Sequence, residues 1–272
     1  MKQHSSSPAE MARSVWRNRH LLASLTRREV VGRYRGSMLG MLWSFFNPLF
    51  MLAVYTFAFG VIFQARWNAA SDSTMEFAVV LFVGLLVFNL FAECISRAPN
   101  LILSNVSYVK KVVFPLEILP YVILGGALFH LLISFAVWLL FHLVFIGWPP
   151  VTALLLPLVL LPLVLFTLGV SWLLAALGVY LRDVGHVVGV AILALMFLSA
   201  IFYPVEAIPE AIRGYMMLNP LLYVIEQARQ VLMWGNLPIM WHWILALAGG
   251  ALAAWGGFAV FQRTRKGFAD VL

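Results

Sequence analysis

The chain has 272 residues, 63% of them hydrophobic and 11% charged, with a formal net charge of +7. Globular domains carry roughly 45–50% apolar and about 25% charged residues, so a mean hydropathy of +0.94 excludes soluble enzymes and nucleic-acid readers and leaves an integral membrane protein. The basic excess does not point to nucleic acid, because eight of the 18 Lys and Arg lie between Lys2 and Arg35, ahead of the first apolar run.

That polar start is much longer than the n-region of a signal peptide, so the first hydrophobic segment is expected to stay in the mature protein. Residues 1–37 read as a cytoplasmic arm. Thr26-Arg-Arg-Glu29 matches a capping box, and a helix beginning there gathers Val30, Val31 and Tyr34 on one arc flanked by Arg28, Arg33 and Arg35. Such a helix lies on the inner leaflet and sets those three arginines at headgroup depth. Leu21, Leu22 and Leu25 point elsewhere, so the arm should bend. The plainer alternative is a basic flank that only fixes topology.

Residues 38–272 form one transmembrane domain. Six apolar stretches approach the ~20 residues that span a bilayer: 39–63, 75–94, 116–146, 154–179, 187–203 and 240–261. On the first, a period of 3.6 puts Trp43, Phe46, Asn47, Phe50, Val54, Phe57 and Val61 on one face. An aromatic face with one amide can line a path for a polar ligand, although aromatic stripes more commonly pack against other helices. In the second, Glu93 precedes Arg97 by four, the order of a local ion pair. Cys94 sits in the same apolar run and, as the only cysteine, supports no disulfide framework.

Between the second and third stretches, the polar residues Asn100, Ser104, Asn105, Ser107, Lys110 and Lys111 suit a short cytoplasmic helix closed by Pro115. Residues 180–186, YLRDVGH, make a compact turn carrying Arg182 and Asp183. Either segment reads equally as a solvated loop. The fifth stretch is short, and the residues after it are too apolar for a loop yet interrupted by Pro204, Pro209, Gly214 and Pro220. They read as broken helices re-entering the outer leaflet. With the N-terminus inside, fifteen of the 18 Lys and Arg are cytoplasmic and only Arg66, Arg213 and Arg229 are outside. Both termini are therefore expected in the cytoplasm.

Much chemistry is missing. None of the four lysines has a P-loop setting, so this chain should not hydrolyse ATP that way. The six histidines show no metal-ligand spacing, and His130 and His142 read as hydrogen-bonded packing residues. No cofactor or metal is expected. Glu93 is the main acid within a span, which weighs against a proton relay, and no inverted repeat is visible.

Five segments in order, residues 33–63 (RYRGSMLGMLWSFFNP and onward), 110–120 (KKVVFPLEILP), 180–186, 202–210 (FYPVEAIPE) and 218–229 (LNPLLYVIEQAR), resemble the permease of type-2 ATP-binding-cassette exporters of polysaccharide. These move O-antigen, capsule or teichoic acid, and the 35–48 run is closer to the O-antigen type. The resemblance implies a bacterial inner-membrane homodimer bearing two copies of a separate ATPase that holds ATP and Mg. It further implies a coupling helix near 101–111, with Asn105, Ser107, Tyr108, Lys110 and Lys111, and Arg182 and Asp183 nearby, docking on that ATPase. First and fifth spans would border a pore with Tyr203 at its outer mouth, passing a lipid-linked polysaccharide. The rival readings are a drug or lipid exporter of the same branch, and a membrane-embedded glycan ligase or acyltransferase using Arg213, Glu206, Glu210 and Glu226.

Overall fold

The computed structural model describes residues 6–63, 67, 74–110 and 114–272, and every regular element among them is helical. Helix α1 (Pro8–Arg17) starts where the Ser7 hydroxyl accepts the Glu10 N–H at 3.2 Å, with Pro8 at a position whose N–H would have no intrahelical partner. It ends at Asn18, whose amide donates to the Ser14 carbonyl at 2.8 Å, and the chain turns there into α2 (Arg19–Tyr34). The arm therefore bends at Asn18 and not between Leu25 and Thr26, where the two apolar stripes diverge, because α2 carries both stripes without a break.

No capping box forms at Thr26, because α2 runs unbroken through it. The i, i+3 spacing that suits a cap also places two side chains on one face of a continuing helix, and here both face the bundle. A methyl group added at Gly125 would sit 2.7 Å from Thr26 Cγ2, while Glu29 pairs with Arg97. Val30 is buried on that side and Val31 is exposed.

Helix α3 (Trp43–Tyr55) is preceded by a 3-10 turn, Gly40–Leu42, and continued by a π turn, Thr56–Ile62. Then come α4 (Thr74–Arg97), the short α5 (Val106–Lys110), α6 (Leu119–Phe145), α7 (Leu156–Tyr180) and α8 (Val184–Leu198). Beyond them lie α9 (Glu210–Met216), α10 (Pro220–Arg229), α11 (Met240–Thr264) and α12 (Phe268–Val271). Among the described residues five helical stretches are long and apolar enough to cross a membrane: Gly40–Ile62, Thr74–Asn100, Leu116–Phe145, Val151–Tyr180 and Met240–Val271. The fifth expected span is instead a 15-residue helix, α8, reaching about 22 Å against a ~30 Å hydrocarbon core. It stops at Ser199, and Ala200 takes a positive φ of 50°, so Tyr203 lies beyond the helix.

Helix α4 is the axis of the bundle, with every residue from Phe77 to Phe88 buried. Helices α7 and α11 pack backbone to backbone: methyl groups added at Gly169 or Gly257 would overlap the opposite chain, and one at Gly250 would lie 2.5 Å from the Pro162 carbonyl oxygen. Small residues permit this approach where no hydrophobic effect drives helices together.

The segment after α8 is broken as its prolines require. Helix α9 begins directly after Pro209, and α10 carries Pro220 in its first turn with Asn219 as N-cap. Its anchor is Arg229, wholly buried, which donates to the carbonyls of Ala200 and Ile201 at 2.9 Å each. The guanidinium also lies 4.1 Å from the Trp67 ring centroid. This one fork fixes the strained turn that ends α8 and ties it to α10.

Candidate functional site

The first-span face holding Trp43, Asn47, Phe50, Val54, Phe57 and Val61 is exposed in the subunit, with Phe46 half-buried. Phe50, Val54 and Phe57 are each close to 60% exposed. The opposite face grips the bundle: Leu52 is buried, and the Phe59 ring stacks on Phe202 at 4.7 Å. Tyr203 is half-buried, and its hydroxyl donates at 2.6 Å to the Phe197 carbonyl, a free acceptor at the end of α8.

Polar chemistry concentrates where α2, α4 and α6 meet. Arg33 pairs with Glu93 at 2.7 Å, and Glu93 also meets His130 Nδ1 at 2.9 Å. Tyr34 Oη lies 2.9 Å from His130 Nε2. Burial raises the Tyr34 phenol above its ordinary range, and the Glu93 carboxylate can only accept, so the His130 Nδ1 that it meets carries a proton. Arg33 Nη1, 3.1 Å from Nδ1, then faces another donor and is held by the carboxylate alone. His130 is the hydrogen-bonded residue that the sequence suggests. The local Glu93–Arg97 pair is stretched to 4.0 Å, because Arg97 closes instead on Glu29 of the arm.

Two clefts flank this cluster and share Arg33. One, of about 470 Å³, lies beneath α2 and is lined by Arg28, Arg33, Arg97, Glu29, Asn105 and Tyr108 among others. Three guanidinium groups against one carboxylate make it cationic. Arg97, which sequence spacing assigns to Glu93, is part of it, and its Nη1 is buried with no hydrogen-bond partner. Arg35, the C-cap of α2, is exposed and lines neither cleft. The second cleft, about 480 Å³, opens between α3, α4, α6 and α8.

The expected coupling residues gather at the basic end of the bundle. Asn105 caps the Leu101 carbonyl at 2.9 Å, Ser107 is exposed, and the Tyr108 ring stacks on Phe114 at 4.3 Å. Arg28 donates to the Tyr108 hydroxyl at 2.6 Å, joining the arm to α5. Lys110 bonds the carbonyl of Leu272; Lys111 lies outside the described residues. Arg182 and Asp183 are exposed at the start of α8. Their turn lies beside the Ala98–Asn100 turn, where Gly178 abuts the Pro99 backbone and Gly185 approaches Asn100. Of the four polar residues that the ligase reading needs, Arg213 is committed to the carbonyls of Glu206 and Ile208.

Residues 20–233 match the family model described as ABC-2 type transporter. The chain is 29% identical over 262 residues to the O-antigen export system permease protein RfbA of Myxococcus xanthus, covering 96% of this chain and 98% of that one. It is 29% identical to the RfbA protein of Klebsiella pneumoniae, covering 93% and 95%. Against the polysialic acid transport protein KpsM of Escherichia coli it is 28% identical, over 78% of this chain and 81% of the other.

Proposed function

Since this chain belongs to the ABC-2 type transporter family, and is therefore a transport component, we propose that it is the permease subunit of an ATP-driven exporter of lipid-linked polysaccharide, O-antigen before capsule or teichoic acid. The observation that carries the reading is the end-to-end alignment with O-antigen export permeases, against partial coverage of the capsule-type relative. Complementation tests it: expression with its ATPase in a bacterium lacking its own O-antigen permease should restore a long-chain lipopolysaccharide ladder. An unrestored ladder from a well-inserted protein would overturn the reading.

In this reading two copies sit in the inner membrane with both termini cytoplasmic, α8 and the broken segment α9–α10 completing a six-span path. The exposed aromatic face of α3 borders the pore between subunits, and Tyr203 lies at its outer mouth. ATP and Mg belong to two copies of a cytoplasmic ATPase received by α5 and by the Arg182–Asp183 turn. The stacked Tyr108 supports that role, because a helix backed by a buried ring transmits a push without deforming. Val106 proves to be the first residue of α5, where proline is tolerated, so the break belongs further in: proline at Val109 should uncouple ATP turnover from export while the subunits still assemble.

The cationic cleft beneath α2 takes the pyrophosphate of the lipid carrier, with Arg28, Arg33 and Arg97 as donors and exposed Arg35 drawing the headgroup inward. General attraction to anionic lipid is worth about 1 kcal/mol per charge and survives Arg→Lys, whereas planar fork recognition does not. Normal export by the Arg28→Lys, Arg33→Lys and Arg35→Lys variants would remove the specific role.

A further inference from the structure

The second cleft differs in kind from the cationic one. Helix α4 is buried from Phe77 to Phe91 at every position but Asn89, which opens onto this cleft. Asn47 of α3 and Ser134 of α6 line it too. Asn47, Asn89 and Ser134 have no hydrogen-bond partner among the described residues. Unpaired amides at membrane depth are costly, so the cleft must supply their partners.

Register places these groups relative to the charged cluster. Asn89 precedes Glu93 by four and Ser134 follows His130 by four. The connection between α4 and α6 is at the basic end, so both steps lead away from it, by one turn or about 6 Å. An ionic layer of Arg33, Glu93 and His130 is thus followed inward by the Asn89 amide and the Ser134 hydroxyl, with Asn47 of α3 lining the same cleft. This lining shares Arg33 with the cationic cleft but adds the Glu93 carboxylate opposite it, so it carries no net positive charge to hold a second phosphate. Groups that both donate and accept suit a ligand whose hydroxyls do the same, and a volume of about 480 Å³ falls within the usual range of small-molecule sites, roughly 300–1,000 Å³.

We propose that this cleft is a saccharide subsite, in which Asn47, Asn89 and Ser134 bind the hydroxyls of a sugar ring while the carrier's pyrophosphate occupies the adjoining cationic cleft. The assignment rests on the polysaccharide-export reading. It names residues on α4 and α6 that the aromatic face of α3 does not include, and it lets the protein tell a glycan-bearing lipid from the bare carrier.

The test uses the permease with its ATPase in nanodiscs and two probes: undecaprenyl pyrophosphate bearing one N-acetylglucosamine, and bare undecaprenyl pyrophosphate. The wild type should bind the sugar-bearing lipid about tenfold more tightly, the effect of two ordinary hydrogen bonds. Asn89→Leu, near-isosteric and free of an unpaired amide, and Ser134→Ala should each cut that preference to about threefold, the loss of one such bond, while holding the bare lipid unchanged. Variants that keep the full preference, or lose affinity for both lipids alike, would overturn the subsite and leave the export reading standing. A wild type that binds neither lipid would overturn both.

Discussion

Two adjacent pairs of glycines on α11 offer opposite outcomes from the same substitution. Gly250 and Gly257 face α7, while Gly249 and Gly256 have nothing within 4 Å of an added Cβ. In Gly250→Ala the new methyl lies 2.5 Å from the Pro162 carbonyl oxygen, about 1 Å inside ordinary contact, so α7 and α11 must part by about that much. A radial gap of 0.5–1 Å forfeits a quarter to a half of each dispersion contact, and overpacking of this kind costs about 1–3 kcal/mol. In Gly249→Ala no contact changes, and removing glycine from a helix interior contributes about 0.5–1 kcal/mol of stability. That gain is common to both positions, so neighbours should differ by the overpacking alone, about 1–3 kcal/mol, or roughly 5- to 140-fold in the unfolding constant. Gly257 against Gly256 should repeat the pattern. Reversible unfolding in mixed micelles titrated with dodecyl sulfate, followed by tryptophan fluorescence, measures it. Unfolding constants within threefold of each other for Gly249→Ala and Gly250→Ala would show that the two backbones are not in contact.

Arg265→Ala should cost about 3–5 kcal/mol, because it strands the buried Glu117 carboxylate that Arg265 meets at 2.6 Å; adding Glu117→Gln should recover part of the loss in the same titration. Arg229→Met leaves the Ala200 and Ile201 carbonyls unpaired at about 1–3 kcal/mol each, and limited proteolysis should cut between residues 199 and 203 in that variant first. Single cysteines along Trp43, Phe46, Asn47, Phe50, Val54, Phe57 and Val61 in a Cys94→Ser background should react with a water-soluble maleimide, and those at Leu52 or Phe59 should not; uniform labelling would refute the pore wall. Tyr108→Phe keeps the ring on Phe114 but drops the bond from Arg28, so export per ATP hydrolysed should fall while ATPase binding holds; an unchanged ratio would refute the link.

What was legible in the sequence was local. The period of residues 43–61 separated the exposed face of α3 from the packed one, and prolines 209 and 220 marked where α9 and α10 start. Contacts between distant segments were not legible. Glu93 and Arg97 have ideal helical spacing, yet Glu29, 68 residues before Arg97, takes its guanidinium because α2 folds back against α6. Thr26 and Glu29 carry a cap pattern that a continuing helix satisfies equally well. The end of α8 lacks glycine and proline at the turn itself; Ala200 holds its positive φ because Arg229 ties its carbonyl from α10. Arg229 reads in sequence as one of three exterior basic residues, and nothing near it announces that it is buried.

Helix α2 is gripped at both of its working ends. Arg28 holds the α5 tyrosine, and Arg33, about 7.5 Å further along the same axis, holds the α4 carboxylate. A continuous hydrogen-bonded helix between them has no joint, so it acts as a rocker: slack admitted at one grip is taken up at the other. Reciprocity then fixes the direction of information in both senses. If a molecule docked on α5 alters how readily Arg33 leaves Glu93, then a molecule that parts Arg33 from Glu93 alters the grip on α5 by the same free energy. In the exporter proposed above, a cleft filled at Arg33 would thereby register at α5 through one rigid rod.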